Sequence, residues 1–188
     1  NIITKKASET QGVYAEAAAG TELRGLGTIR YGGTIGDRLS YRVYGTAFKR
    51  DNTLYRDSVE ADDDWQMAQG GMRLDWDITE KDDLTFQANL YDGRPDPDGG
   101  APVVARGTNF LGRWNHSASA DSDVQLQVFV DQTWRHFRNG FAENLRTYDF
   151  EGQHRFHAGD RHELIYGVGF RAMDHDVNNL ELFAFLPA

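Results

Sequence analysis

The stretch Val124-Gln-Leu-Gln-Val-Phe-Val-Asp-Gln-Thr-Trp-Arg135 decides the fold. On an extended chain, side chains alternate between two faces. Val124, Leu126, Val128, Val130 and Trp134 therefore share one face, and Gln125, Gln127, Asp131, Thr133 and Arg135 share the other. This is a strand with one apolar and one wet face. The same split recurs in 84–91, where Leu84, Phe86, Ala88 and Leu90 oppose Thr85, Gln87, Asn89 and Tyr91. It recurs again in 164–172 (Leu164, Tyr166, Val168, Phe170, Ala172) and in 38–50 (Leu39, Tyr41, Val43, Gly45, Ala47). Segments 67–78, 105–116 and 144–157 are noisier; the spacing puts Met72, Leu74, Trp76, Phe110, Trp114, Tyr148, Phe150 and Phe156 on the apolar face. The pattern predicts strands at roughly 12–20, 23–32, 38–49, 65–77, 84–92, 104–117, 123–136, 144–157 and 162–173.

Four short polar turns punctuate these strands: Ile35-Gly-Asp-Arg38, Thr79-Glu-Lys-Asp-Asp83, Ser119-Ala-Asp-Ser-Asp123 and Ala158-Gly-Asp-Arg-His162. The opposite connections, Arg50 to Asp64, Asp92 to Val103 and Phe137 to Glu143, are longer, although the first, near Gly20 to Glu22, is short. Short turns on one side and long loops on the other are the signature of an antiparallel up-and-down transmembrane β-barrel, with the turns on the periplasmic side. Aromatics sit close to the turns. Tyr31, Tyr41, Trp76, Phe86, Trp114, Phe156 and Tyr166 fit a membrane-interface girdle at one height.

Composition narrows the class. The chain has 188 residues, 39% hydrophobic and 26% charged, which argues against disorder. Mean hydropathy is −0.63, and no run approaches the roughly 18 apolar residues of a spanning helix. A membrane barrel escapes that test, because alternating strands hide their lipid face from any window average. A net charge of −9 disfavours nucleic acid, which is held by clustered Lys and Arg. There is no cysteine, hence no disulfide, thiolate metal site or thiol nucleophile.

A soluble antiparallel barrel or sandwich also alternates, with its aromatics filling the core. Against it stand Arg30, Arg42, Arg73, Asp75, Arg113, Glu151 and Arg155 in mid-strand on one face, many for a small solvated sheet but natural in a wide polar lumen. A lone small membrane barrel is a further alternative, though nine strands is an awkward count for a single-chain bacterial barrel.

The opening Asn1-Ile-Ile-Thr-Lys-Lys-Ala7, then Glu9-Thr-Gln-Gly12 and Ala19-Gly-Thr21, resembles the passage where TonB-dependent outer-membrane receptors leave the plug domain and enter the barrel. Arg30-Tyr-Gly-Gly33, Tyr41-Arg-Val-Tyr44, Asp64-Trp65 and Gly70-Gly-Met-Arg-Leu-Asp-Trp76 are similar to that family's second to fourth barrel strands. The resemblance implies that residues 1–11 are the last plug strand and linker, and that 12–188 are the N-terminal part of a barrel of about 22 strands. It implies that the remaining plug, the energy-coupling box and the C-terminal strands lie outside this chain. The edges of nine strands would then pair with that remainder or between copies. It implies uptake of a scarce nutrient, chiefly an iron–siderophore complex, across the bacterial outer membrane. The partners it implies are outer-membrane lipid, the small nutrient, and the TonB complex through the missing N-terminal region.

Binding rather than catalysis is therefore expected at the outer mouth. The candidates are lumen-facing positions near the upper strand ends: Arg50, Trp65, Gln69, Tyr91, Asn109, Arg135 and Arg171. Arginine pairs with an anionic ligand, and Trp or Tyr offers a flat stacking face; the competing role for each arginine is to balance a lumen or plug carboxylate. Asp62-Asp-Asp64 and Asp96-Pro-Asp98-Gly-Gly100 put hard oxygens in outer loops, but neither spacing is an EF-hand. His154 and His157 fall on opposite faces, which spoils a shared metal site. Gly25-Leu-Gly27 and Gly167-Val-Gly169 are expected to relieve crowding where the plug meets the wall. No Ser/His/Asp order or carboxylate pair stands out, so neither an enzyme nor a cofactor is expected.

Overall fold

The structure is a computed structural model that describes residues 4–95, 103–137, 140–159 and 161–179. Nine strands follow one another: β1 (Gly12–Ala18), β2 (Leu23–Ile35), β3 (Leu39–Arg50), β4 (Trp65–Asp77), β5 (Asp82–Pro95), β6 (Val103–Ser119), β7 (Ser122–Phe137), β8 (Phe141–His157) and β9 (Glu163–Asn179). Each pairs antiparallel with its sequence neighbours in one sheet ordered β1 to β9. Among the described residues β1 and β9 do not meet, so this is an open length of up-and-down barrel.

The four short turns lie at one end, as their sequences predict. Gly36 turns the first at φ 61° and Gly159 the fourth at φ 66°, a region where a Cβ is penalised. In the second, the Thr79 hydroxyl accepts from the Lys81 and Asp82 amides (3.1 and 3.0 Å) and donates to the Asp82 carboxylate (2.7 Å). A local side-chain acceptor thus replaces the missing ladder partner. At the other end β5 runs on to Pro95 and β8 starts at Phe141, which shortens the link expected at 137–143. The Asp96-Pro-Asp98-Gly-Gly100 stretch lies outside the described residues. The strand expected over 162–173 continues to Asn179, paired residue by residue with β8 up to Phe141.

Register assigns the faces. Asp75 pairs Thr85, which pairs Arg113, Gln127 and Glu151 in turn. Every arginine and carboxylate expected on the wet face shares this side. Residues 4–11 pack there too, so it is called the inner face. They form no strand; Ala7–Thr10 make one turn of 3-10 helix. The outer face carries Ile29, Val128, Val168 and Phe170, each at least 50% exposed. The only buried apolar side chains among the described residues are Ala7 and Ala61. Among the described residues no second layer covers the apolar face, as the core of a soluble sandwich would require.

Close approach of the N-terminal segment falls on Gly32. A Cβ there would overlap the Thr10 carbonyl, whereas Gly25 and Gly27, expected to relieve crowding, face open space. Gly167 abuts the Gly152 carbonyl on the neighbouring strand instead. The difference is one of face: Gly25 and Gly27 point outward, away from residues 4–11. Gly32→Ala should therefore cost about 1–3 kcal/mol by overpacking. Gly45→Ala, with nothing within 4 Å of its Cβ, should be neutral or stabilising by up to about 1 kcal/mol. Denaturant midpoints of the two variants, measured side by side in the full-length protein, would coincide if Gly32 has no such role.

Candidate functional site

The inner face is a mainly polar wall, interrupted by Leu111 and Phe129, because period-two alternation delivers every second residue of nine strands to it. A hydrogen-bonded, largely buried part of it holds the N-terminal segment. Arg73 Nε donates to both Asp75 oxygens, at 3.0 and 2.8 Å, and its Nη1 donates to Thr4 Oγ1 at 2.9 Å. Asp75 also accepts the Ala7 amide at 2.7 Å and the Thr85 hydroxyl at 2.9 Å. Arg42 donates to the Lys5 carbonyl at 3.2 Å. Both members of the central pair are largely buried, with side chains 11% and 16% exposed. Charge-assisted bonds in such a setting are the strong kind.

Beside this lock, Thr4, Tyr14, Arg30, Arg42, Gln87 and Asn89 line a cleft of about 310 Å³. Arg30 lies 5.2 Å from the Tyr14 ring centroid, and its buried Nε has no hydrogen-bond partner among the described residues. Arg42 stands directly across from Arg73. Three arginines thus stand against Asp75 and, at the edge of the cleft, Glu16, which accepts the Tyr14 hydroxyl at 3.0 Å, and the balance of charge favours an anion.

All seven candidate ligand residues project from the inner face. Arg50 and Trp65 are cross-strand partners, with the guanidinium 5.8 Å from the indole centroid, and Phe48 meets Trp65 edge-on at 4.6 Å. Gln69 pairs with Tyr91, whose ring lies across Gly107. Asn109 accepts from Asn89 at 2.9 Å, and Asn89 accepts the Tyr44 hydroxyl at 3.1 Å. Arg135 reaches Glu143 at 3.8 Å. Arg171 donates to the buried Asp149 at 2.7 Å and, because β9 runs on to Asn179, sits in mid-strand rather than near its end. Arg50, Trp65, Gln69 and Tyr91 form one neighbourhood on β3–β5; Arg135 and Arg171 stand apart from it, each tied to a carboxylate.

The seven aromatics near the turns all project from the outer face. Tyr31 and Tyr41 rings are 6.0 Å apart, and Phe156 and Tyr166 6.2 Å. Trp114 donates to Asp82 at 3.2 Å, so its polar edge points to the turn end. His154 is outward and His157 inward. In the 51–64 loop, Asp63 accepts from the Thr53 hydroxyl and amide at 2.7 and 2.6 Å, and these bonds hold its carboxyl below the usual carboxylate range. Asp64 faces Lys49 at 3.4 Å. No group of three potential metal ligands occurs among the described residues.

The anchoring pair Arg73–Asp75 was not singled out as a site by its sequence, although an arginine and an aspartate two apart on one strand do share a face. That they grip residues 4–7 depends on a contact 68 and 69 positions away.

Fold and faces together define a length of large, open up-and-down β-barrel wall with a polar interior, an apolar exterior and a chain segment strapped to the interior. The strand arrangement is similar to part of the crystal structure of the siderophore receptor PirA from Pseudomonas aeruginosa, which this chain matches with a TM-score of 0.57 and 20% identity over 82% of its own length and 26% of that chain. At that identity the likeness is one of fold, and this chain spans about a quarter of that receptor's length. No family model and no curated protein matches the sequence.

Proposed function

We propose that this chain is the N-terminal part of the barrel of a TonB-dependent receptor in the bacterial outer membrane, importing a scarce nutrient such as an iron–siderophore complex. The observation that carries the reading is the two-faced sheet: charged residues and the strapped segment 4–11 on one side, bare apolar residues on the other. The outer apolar run over 164–172, rising about 3.4 Å per residue at a tilt near 40°, spans roughly 20 Å. That suits the hydrocarbon band of an outer-membrane barrel. The outward aromatics near the turns serve as the interface girdle, with the turns in the periplasm.

Residues 4–11 act as the exit from the plug into β1, and the Arg73–Asp75 pair clamps them to the wall. Arg30 and Arg42 present positive charge toward the space a plug would occupy, where acidic plug residues would balance it. At the loop side, Trp65 with Arg50, and Tyr91 with Gln69, give the outer mouth stacking faces beside a cation and an amide, which suits an anionic, partly flat cargo. Coupling to TonB runs through the region N-terminal to this chain.

Ligand titration of the full-length receptor tests the binding assignment. Arg50→Ala and Trp65→Ala should each weaken affinity about tenfold, the scale of a lost charge-assisted bond or stacking contact. Arg135→Ala and Arg171→Ala should weaken it less, since each already serves a carboxylate. Unchanged affinity in both of the first two variants would remove the mouth assignment. A protein that folds and stays monomeric without detergent would remove the membrane reading.

A further inference from the structure

The outer face is not uniformly apolar. On the loop side of the apolar band it sinks into an open groove of about 720 Å³, lined by Ala68, Gly70, Leu90, Thr108, Gln132 and Trp134. A second depression of about 510 Å³, with Gly25, Ala47, Lys49 and Gln66 in its lining, joins it at Ala68 and Asp92. The depth comes from residue size: Ala68 and Gly70 on β4 pair with the equally small Ala47 and Gly45 on β3, while bulkier Leu90 on β5 and Trp134 on β7 stand on the other side.

Cations gather along the loop-side border. Arg106 Nε donates to Asp92 at 2.6 Å while its guanidinium lies 5.7 Å from the Trp134 centroid. Arg94 reaches the same carboxylate at 3.3 Å, and Lys49 faces Asp64 at 3.4 Å. Three cations share two carboxylates, leaving one positive charge, and each cation side chain is more than half exposed. A wall that only had to contact hydrocarbon would need neither the hollow nor the cations. An apolar trough ending in two guanidinium groups that share a single carboxylate, beside an amphipathic indole, has the shape and charge of an amphiphile's complement.

We infer that this groove holds one phosphate-bearing anionic lipid of the surrounding bilayer. An acyl chain lies along Ala68, Gly70 and Leu90, and the headgroup phosphate meets Arg106 and Arg94. The inference rests on the reading that the outer face contacts lipid.

The test is native mass spectrometry of the folded, delipidated full-length protein given phosphatidylglycerol or phosphatidylcholine. Wild type should retain one phosphatidylglycerol in preference to phosphatidylcholine. Arg106→Gln should lower that retention about tenfold, as expected for loss of a charge-assisted phosphate contact. Ala68→Leu, which fills the trough and leaves every charge in place, should lower it as well. Equal retention of the two lipids by wild type, or wild-type retention of phosphatidylglycerol by both variants, overturns the site. Circular dichroism and the heat-dependent gel mobility of a barrel establish that each variant is folded. Failure of the membrane reading looks different: the protein would fold in plain buffer and hold neither lipid.

Discussion

Arg73→Ala is expected to destabilise the full-length protein by about 3–5 kcal/mol, the usual cost of leaving one member of a buried ion pair behind. The alanine removes two bonds to Asp75 and two to Thr4. It also strands a carboxylate that is itself only 16% exposed. Asp75 would keep its bonds from the Ala7 amide and the Thr85 hydroxyl, but an anion held by two neutral donors in that site is poorly compensated. The consequence should be local before it is global. Residues 4–11 should detach, and hydrogen exchange at the Ala7 amide should rise toward the rate of an open chain. Asp75→Asn should be milder, because an amide oxygen still accepts from Ala7. An Ala7 amide that stays protected in the Arg73 variant would mean the clamp is not what holds the segment. The effect bears on transport as well as stability, since in the proposed receptor this segment is the hinge between plug and wall.

Val128→Arg should reduce the stability of the protein folded into phosphatidylcholine vesicles by about 2–4 kcal/mol, the depth-dependent cost of a cation at the bilayer midplane. Val128 is outward, 50% exposed, and stands in register with Gly112 and Phe150 in the middle of the apolar band. Gln125→Arg, on the same strand but the inner face, should cost less than about 1 kcal/mol, because its surroundings are polar and wet. Urea titrations in vesicles read both. Equal costs would mean that the two faces do not differ in solvent, and the outward apolar band would lose its meaning as a lipid surface.

Much of the fold could be read from local pattern. The alternation is clear in β3, β5, β7 and β9 and noisier in β4, β6 and β8, yet the faces it predicts for the seven mid-strand charges and the seven aromatics near the turns agree with the register, because a two-residue period needs no knowledge of distant contacts. The turns were legible for the same reason: Gly36 and Thr79 act on residues one to three positions away. Strand ends were less so. Met173-Asp-His-Asp-Val-Asn-Asn179 has Asp174 and Asp176 where the pattern wants outward apolar residues, so the alternation stops at 173. The strand continues because β8 pairs it as far as Asn179, above the band where the outer face must be apolar. Arg146 meets Asp174 there at 3.3 Å, a polar collar on a lengthened strand. This is also why Arg171 is a mid-strand partner of Asp149 rather than a residue of the rim.

The sequence alone determined the class of sheet, its two faces, the end that carries the turns, and which residues face inward. Only the tertiary structure decided which of those residues act together. Arg73 and Asp75 lie two apart on one strand, yet their task is set by Thr4 and Ala7; Gly32 rather than Gly25 makes room because Thr10 passes over the inner face. The outer groove needs Ala68, Leu90, Arg106 and Trp134 from four strands. Alternation is a property of the single extended chain and survives any pairing. A clamp or a groove exists only once register has brought separate strands side by side, and that information is distributed over the whole sheet.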